Sequence, residues 1–207
     1  RHLQHIAVLG VGVDNVDVEA CLEKGVLVTN TPGHSTDAVA EHAIALALAV
    51  ARRLTENDRA VREGEWARHP IIQLSGKILG VIGAGPIGRR MAVLGQALGM
   101  KVVAWTFNPT MQRTEAMGVP FVALDELMAI SDVVSLHLPI SDKSRGLIDA
   151  NKLSLMKSDA ILVNTARGAI VDERALAGSN RPFRAGITLV YIPVLLKKHA
   201  TICSVLL

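Results

Sequence analysis

The sequence predicts an α/β fold built on a doubly wound parallel sheet. Short β-branched runs alternate with helix-like stretches along most of the 207 residues. Half of the residues are hydrophobic while only 3% are aromatic, and one apolar run leads directly into a glycine-rich turn. Alternating strand and helix is the pattern of parallel strands joined by crossover helices. A composition rich in Ala, Val, Ile and Leu suits strands covered on both faces.

Taken in order, the strand-like runs cover residues 6–9, 26–29, 78–82, 102–105, 133–138 and 161–164. Residues 38–53 have helical propensity throughout, and Ser35 or Asp37 is available to cap the start of one long helix. The more polar stretch 52–74 carries Arg59, Arg62, Glu63, Glu65 and Arg68, and reads as a solvated helix and loop joining two structural units. A helix over 89–98 follows the glycine turn. After Glu173 the chain has no Asp or Glu, and the apolar stretch 186–196 is interrupted by Pro193, which suits neither a long helix nor a central strand.

Several partners and settings are disfavoured. The net charge of +3 is spread without the aromatic interleaving that single-stranded nucleic acid requires, so no nucleic-acid partner is expected. Cys21 and Cys203 stand alone, outside any zinc or disulfide pattern, which fits a reducing, cytoplasmic setting. The apolar stretch 43–51 falls far short of the ~20 residues that span a bilayer, so no membrane partner is expected. The first residues lead straight into a strand, as though the chain begins in mid-domain.

The strongest motif is Gly83-Ala84-Gly85-Pro86-Ile87-Gly88, with a strand before it, a helix after it and a second strand at the expected distance. Gly83 permits the tight turn, Gly85 lets the backbone approach a pyrophosphate, and Gly88 lets the helix pack close. The helix N-terminus offers unpaired N–H groups and a partial positive charge. The expected ligand is a nicotinamide dinucleotide, NAD or NADP. Thr106 occupies the place of the acidic residue that would hold the ribose hydroxyls, and it offers one hydrogen bond without charge. Phe107 and Asn108 supply no cation and Arg113 is the nearest one, so the choice between the two cofactors stays open.

Further motifs follow in order: Gly10-Val11-Gly12-Val13-Asp14-Asn15-Val16-Asp17, Asn30-Thr31-Pro32, Val39-Ala40-Glu41-His42, His137-Leu138-Pro139, Val163-Asn164-Thr165-Ala166-Arg167-Gly168 and Val171-Asp172-Glu173. Together with the glycine turn, these resemble the D-2-hydroxyacid dehydrogenases, with phosphoglycerate dehydrogenase and its relatives most similar, over residues 3–177. The resemblance implies a Rossmann-type NAD(P)-binding domain over 43–177. It also implies a C-terminal remnant of a flavodoxin-like substrate domain, with the start of a linking helix, over 1–42, and a divergent tail over 178–207. A homodimer joined through the inserted domain and its flanking helices is the expected assembly. The implied reaction is hydride transfer between a small 2-hydroxy or 2-oxo acid and nicotinamide.

The same resemblance assigns roles. Arg167 would be the catalytic arginine that grips the substrate carboxylate, and its place just past the strand 161–164 puts it at the sheet's carboxyl edge. Val11 and Gly12 would donate backbone N–H groups to that carboxylate. Pro86 and Ile87 would face the pyrophosphate, Thr106 the ribose, and Pro139, Thr165 and Ala166 the nicotinamide side, with Thr36 near it. His137 would border the cofactor without catalysing, and His42 would pack on its helix.

The family's glutamate and its Pro-His histidine have no counterpart here. Ala185-Gly186-Ile187-Thr188-Leu189-Val190-Tyr191 echoes the stretch before the glutamate with its Asp gone, and Val194 or Leu195 stands where the acid belongs. His199, after two lysines, reads as a loop histidine. General acid–base help of roughly 10²- to 10⁴-fold would be lost, so an impaired enzyme that binds NAD(H) weakly is expected. The alternative is an NADH-sensing, non-enzymatic protein of the corepressor type.

Overall fold

The computed structural model describes residues 3–66, 68–178 and 184–186, the last three by backbone alone. Strand β1 (His5–Ala7), helix α1 (Val18–Glu23) and strand β2 (Leu27–Thr29) form a two-stranded parallel sheet in which His5 pairs with Leu27 and Ala7 with Thr29. Asp17 caps α1 by accepting the Ala20 N–H at 2.9 Å, the side-chain bond that lets a six-residue helix start. This unit is thin: Ile6 and Val28 are half-buried on one face of the sheet, the other face is exposed, with Leu27 at 60%, and Leu9 and Leu22 beside it are 88% and 80% exposed.

Helix α2 (Thr36–Arg52) leads out of it and turns into α3 (Leu54–Arg62) at Arg53, whose φ of 50° is the left-handed break between the two helices. Ala40, Ala43, Leu46, Ala47 and Ala51 are buried along α2, the stripe expected of a helix laid on a sheet. Ser35 sits at the N-cap position but its hydroxyl makes no capping bond, and the helix begins two residues before the expected 38.

A five-stranded parallel sheet follows. Its elements are β3 (Ile78–Ile82), α4 (Pro86–Ala97), β4 (Lys101–Trp105), α5 (Met111–Met117), α6 (Leu124–Ile130), β5 (Val133–Leu136), α7 (Ala150–Leu155), β6 (Ile161–Asn164), a short 3₁₀ turn at Gly168–Ile170, α8 (Glu173–Gly178) and β7 (Arg184–Gly186). The strand order is β4-β3-β5-β6-β7, so the chain moves one way from β3 to β4 and then crosses back to β5. That reversal makes a crevice at the carboxyl ends of β3 and β5, where open α/β sheets take their ligands.

Two cores sandwich the sheet. One gathers Ala43, Leu46, Leu79, Val81, Met91 and Val163, from α2, α4 and the strands β3 and β6. The other gathers Ile82, Leu127, Met128, Leu136, Leu153 and Leu162, from α6, α7 and three strands. Every residue of β5 and β6 is buried, which is why their sequences are mostly apolar rather than alternating, broken only by Ser135 and Asn164. This is the doubly wound parallel α/β fold that the composition and alternation predict.

Besides α2, and β1 at 5–7 rather than 6–9, further elements differ from expectation. Helix α4 starts at Pro86 rather than at 89, inside the glycine motif, because proline lacks the N–H that the first helical position leaves unpaired. The run 133–138 is strand only to Leu136. Strand β7 pairs in parallel with β6 within the stretch read as a divergent tail, and its three residues, Arg-Ala-Gly, carry no strand signal.

Candidate functional site

The glycine turn lies where β3, β4 and β5 end. Gly83, at φ 114°, donates its N–H to the Trp105 carbonyl at 2.9 Å, and a Cβ there would meet the His137 carbonyl oxygen at 2.5 Å. The turn is therefore wedged between the ends of two strands, and only glycine fits. A Cβ on Gly88 would overlap the Gly83 carbonyl oxygen, so α4 folds back onto the turn itself. At Gly85 a Cβ would meet nothing within 4 Å. Open space thus lies in front of the N-terminus of the 12-residue α4, with Pro86 exposed and Ile87 half-buried beside it.

At the end of β4, Thr106 is only 8% exposed, and the Arg113 Nη1 reaches its Oγ1 at 3.5 Å and donates to the Asn108 carbonyl at 3.2 Å. Trp105, Thr106, Phe107, Pro109, Phe121 and Glu126 border a cavity of about 550 Å³ there.

The third part forms after β6. Asn164, 2% exposed, receives the Ala166 N–H on its Oδ1 at 3.0 Å and donates its Nδ2 to the Arg167 carbonyl at 2.9 Å. That pair of bonds clamps the turn carrying Thr165, Ala166 and Arg167. The Thr165 hydroxyl is buried with no hydrogen-bond partner among the described residues, a group whose burial costs free energy until something pairs with it. Pro139 is exposed after β5.

Arg167 joins the turn after β6 to the loop between β1 and α1. Its Nη1 donates to the Ala166 carbonyl at 2.9 Å, its Nε to Asp14 Oδ2 at 2.5 Å, and its Nη2 lies where a Cβ of Gly12 would stand. Gly12 is thus a glycine because the guanidinium occupies its side-chain space. The Val11 carbonyl accepts from Asn30 Nδ2 at 2.8 Å, while the N–H groups of Val11 and Gly12 donate to no described residue. Arg167, Gly12 and Val11 are brought together as the sequence implies.

Thr36 opens α2, next to Asp37, whose carboxylate pairs with the Arg90 Nε on α4 at 2.7 Å. Asp14 and Asn164 sit within motifs that assign them no role of their own, and their work appears in three dimensions: one holds Arg167 from outside, the other shapes its turn.

His137 stands apart from this chemistry. Its Nε2 hydrogen-bonds the Ser135 hydroxyl at 2.9 Å, and burial pushes its pKa down to about 4. The ring is neutral at physiological pH, in keeping with a bordering role. Val194, Leu195 and His199, and the echo from Ile187 to Tyr191, lie outside the described residues, as does Cys203. Among the described residues no cluster of three metal-binding side chains occurs, and no helix is long and apolar enough to cross a membrane.

The space at Gly85, the free N-terminal amides of α4 and the unpaired Thr165 hydroxyl fit a dinucleotide laid across the crevice. Comparison with known proteins points the same way. Residues 44–180 match the family model described as D-isomer specific 2-hydroxyacid dehydrogenase, NAD binding domain. A glyoxylate reductase of Aeropyrum pernix is 45% identical over 188 residues, which are 86% of this chain and 56% of that protein. The TT0316 protein of Thermus thermophilus superposes with a TM-score of 0.82 at 42% identity, over 90% of this chain and 61% of that one. The D-lactate dehydrogenase of Aquifex aeolicus, solved with NAD and lactic acid, gives 0.80 at 37% identity, over 90% and 58%. The chain spans a little over half the length of each of these relatives.

Proposed function

Because the chain belongs to the D-isomer specific 2-hydroxyacid dehydrogenase family, we propose that it carries the dinucleotide site and half the substrate clamp of an NAD(P)-dependent oxidoreductase acting on small 2-hydroxy or 2-oxo acids. The observation that carries this is the Arg167 guanidinium seated on Gly12, next to two backbone N–H groups that donate to no described residue. Residues 1–42 are then the end of a substrate domain, 43–177 the cofactor domain, and 178–207 a divergent tail. The glyoxylate and lactic acid named for its relatives are both small carboxylates of this class.

In this reading Arg167 holds the acid's carboxylate through two parallel charge-assisted hydrogen bonds, and Val11 and Gly12 add backbone donors. Asp14 holds the guanidinium by its Nε and the Ala166 carbonyl takes one N–H of Nη1, which leaves Nη2 and the second N–H of Nη1 for the ligand. The N-terminus of α4 takes the pyrophosphate, Thr106 the adenosine ribose, and Pro139, Thr165 and Ala166 flank the nicotinamide. When bound, that ring supplies or accepts the hydride at the substrate's 2-carbon. Asn164 keeps the Arg167 carbonyl and the Ala166 N–H engaged, so the turn stays rigid while ligands exchange.

The proposal includes a homodimer in a reducing, cytoplasmic compartment, supported by Leu54, Val61 and Trp66, which stand 54%, 65% and 84% exposed on and just after α3. Sedimentation equilibrium reads the assembly directly.

The decisive test is ternary. NADH fluorescence titration of the purified chain is expected to give saturable binding weaker than micromolar. Oxamate, a non-reducible 2-oxo acid analogue, then binds only when dinucleotide is present, and Arg167→Gln lowers its affinity at least about tenfold, the value of one charge-assisted pair. Absence of dinucleotide binding at millimolar concentration, or oxamate binding unchanged in R167Q, overturns the reading.

A further inference from the structure

A dinucleotide whose pyrophosphate lies on the N-terminus of α4 extends its adenosine ribose toward the end of β4, the strand beside the glycine turn. Here that end is tied to the turn by the bond from the Gly83 N–H to the Trp105 carbonyl, so Thr106 is the first residue the ribose meets. A carboxylate at this point would bond the 2′- and 3′-hydroxyls and repel a 2′-phosphate. Thr106 can do neither by charge, and residues 106–110, Thr-Phe-Asn-Pro-Thr, contain no acid.

The positive charge comes from the next helix. Arg113 stands in the first turn of α5 and folds back over the strand end, with Nη1 3.5 Å from Thr106 Oγ1 and 3.2 Å from the Asn108 carbonyl. Those contacts hold the guanidinium beside the ribose position without neutralising it. No carboxylate pairs with Arg113 among the described residues, and its Nε and Nη2 donate to none of them. Glu115 on the same helix and Glu126, which lines the cavity that Thr106 also borders, are both exposed, and their charges are screened by solvent. An unpaired fork of donors next to a neutral, buried threonine is what a phosphate monoester needs and a ribose hydroxyl does not.

We propose that Arg113, with Thr106, forms a site for a ribose 2′-phosphate, so that this crevice selects NADPH over NADH. The inference rests on the crevice being a dinucleotide site, as proposed above. Because the guanidinium is exposed, the preference is about tenfold at low salt, the effect of one charge-assisted contact, and it shrinks as ionic strength rises.

The test is calorimetric or NMR titration of the full chain with NADPH and with NADH, to millimolar concentration, in low and high salt. Wild type is expected to bind NADPH about tenfold more tightly. Arg113→Gln is expected to bring the affinity ratio close to one by weakening NADPH, and Thr106→Asp to reverse it in favour of NADH. Melting curves check that both variants fold, and Arg113→Lys is expected to retain part of the preference. Equal affinities in wild type, tighter NADH binding, or a preference that survives in R113Q would each overturn the 2′-phosphate site while leaving the dinucleotide site standing. Failure of both nucleotides to bind overturns that reading, and this one with it.

Discussion

Replacing Gly88 by alanine puts one methyl group into the tightest contact of the glycine turn. The added Cβ would overlap the Gly83 carbonyl oxygen, a backbone atom of a turn held by φ 114° and by the 2.9 Å bond to Trp105. In an open helix the change would stabilise by up to about 1 kcal/mol, because alanine is the better helix former. Against this stands overpacking of about 1 to 3 kcal/mol, at its upper end here because no flexible side chain can yield. The net expectation is a loss of about 2 kcal/mol and a melting temperature lower by roughly 4 to 8 °C for a chain of this size. Thermal and urea unfolding followed by circular dichroism measure both. The companion variant Gly85→Ala, whose new methyl would meet nothing within 4 Å, is expected to melt within about 1 to 2 °C of wild type. It should nonetheless weaken NADH at least about tenfold by occupying the phosphate space. A Gly88→Ala chain as stable as wild type would refute the steric reasoning, because helix propensity alone would then be deciding the outcome.

Acid lowers stability in two separable windows. The His137 imidazole, at about 4 in the fold against 6.5 in the unfolded chain, refuses a proton that the unfolded chain takes. Stability should therefore fall between pH 6.5 and 4, by up to about 3 kcal/mol, and His137→Gln should flatten that limb. Asp132 acts below it. Burial alone would raise its carboxyl, but the Ile78 N–H at 2.8 Å, Lys157 at 2.9 Å and Lys77 at 3.9 Å hold it beneath 3.8. Its contribution is present above that value and is lost as pH falls through the folded pKa. Asp132→Asn is expected to cost about 1 to 2 kcal/mol at neutral pH and to remove the lower acid limb in pH-dependent urea titrations.

Legibility followed the physical origin of each element. Strands Ile78–Ile82 and Ile161–Asn164 match the sequence reading to the residue, because a strand covered on both faces reads as a mainly apolar run. Helix α2 was visible because residues 38–53 have helical propensity throughout, and the structure adds the buried stripe along its 17 residues. Helices α1, α5, α6, α7 and α8 have six or seven residues each, too few for a period to show. Several of these are set instead by single capping contacts such as Thr110 to Arg113 and Asp149 to Lys152. Strand β7 exists through its pairing with β6, which no local pattern announces.

The glycine turn was legible from six residues of sequence, and within it Gly88 answers a local demand, the close approach of the Gly83 carbonyl; Gly83 answers a distant one as well, the His137 carbonyl after β5. Arg167 was singled out by its neighbours in the chain, as the arginine of the Asn-Thr-Ala-Arg-Gly run. Only the tertiary structure decided what surrounds it, because Gly12 and Asp14 come from the loop between β1 and α1, and Asp14 lies 153 positions away. It likewise decided that Arg113, seven positions beyond Thr106, turns back over that residue. Sequence determines what is local, a φ angle, a cap or an apolar run; which charges share a crevice depends on how distant strands are ordered, and that is settled when their cores pack.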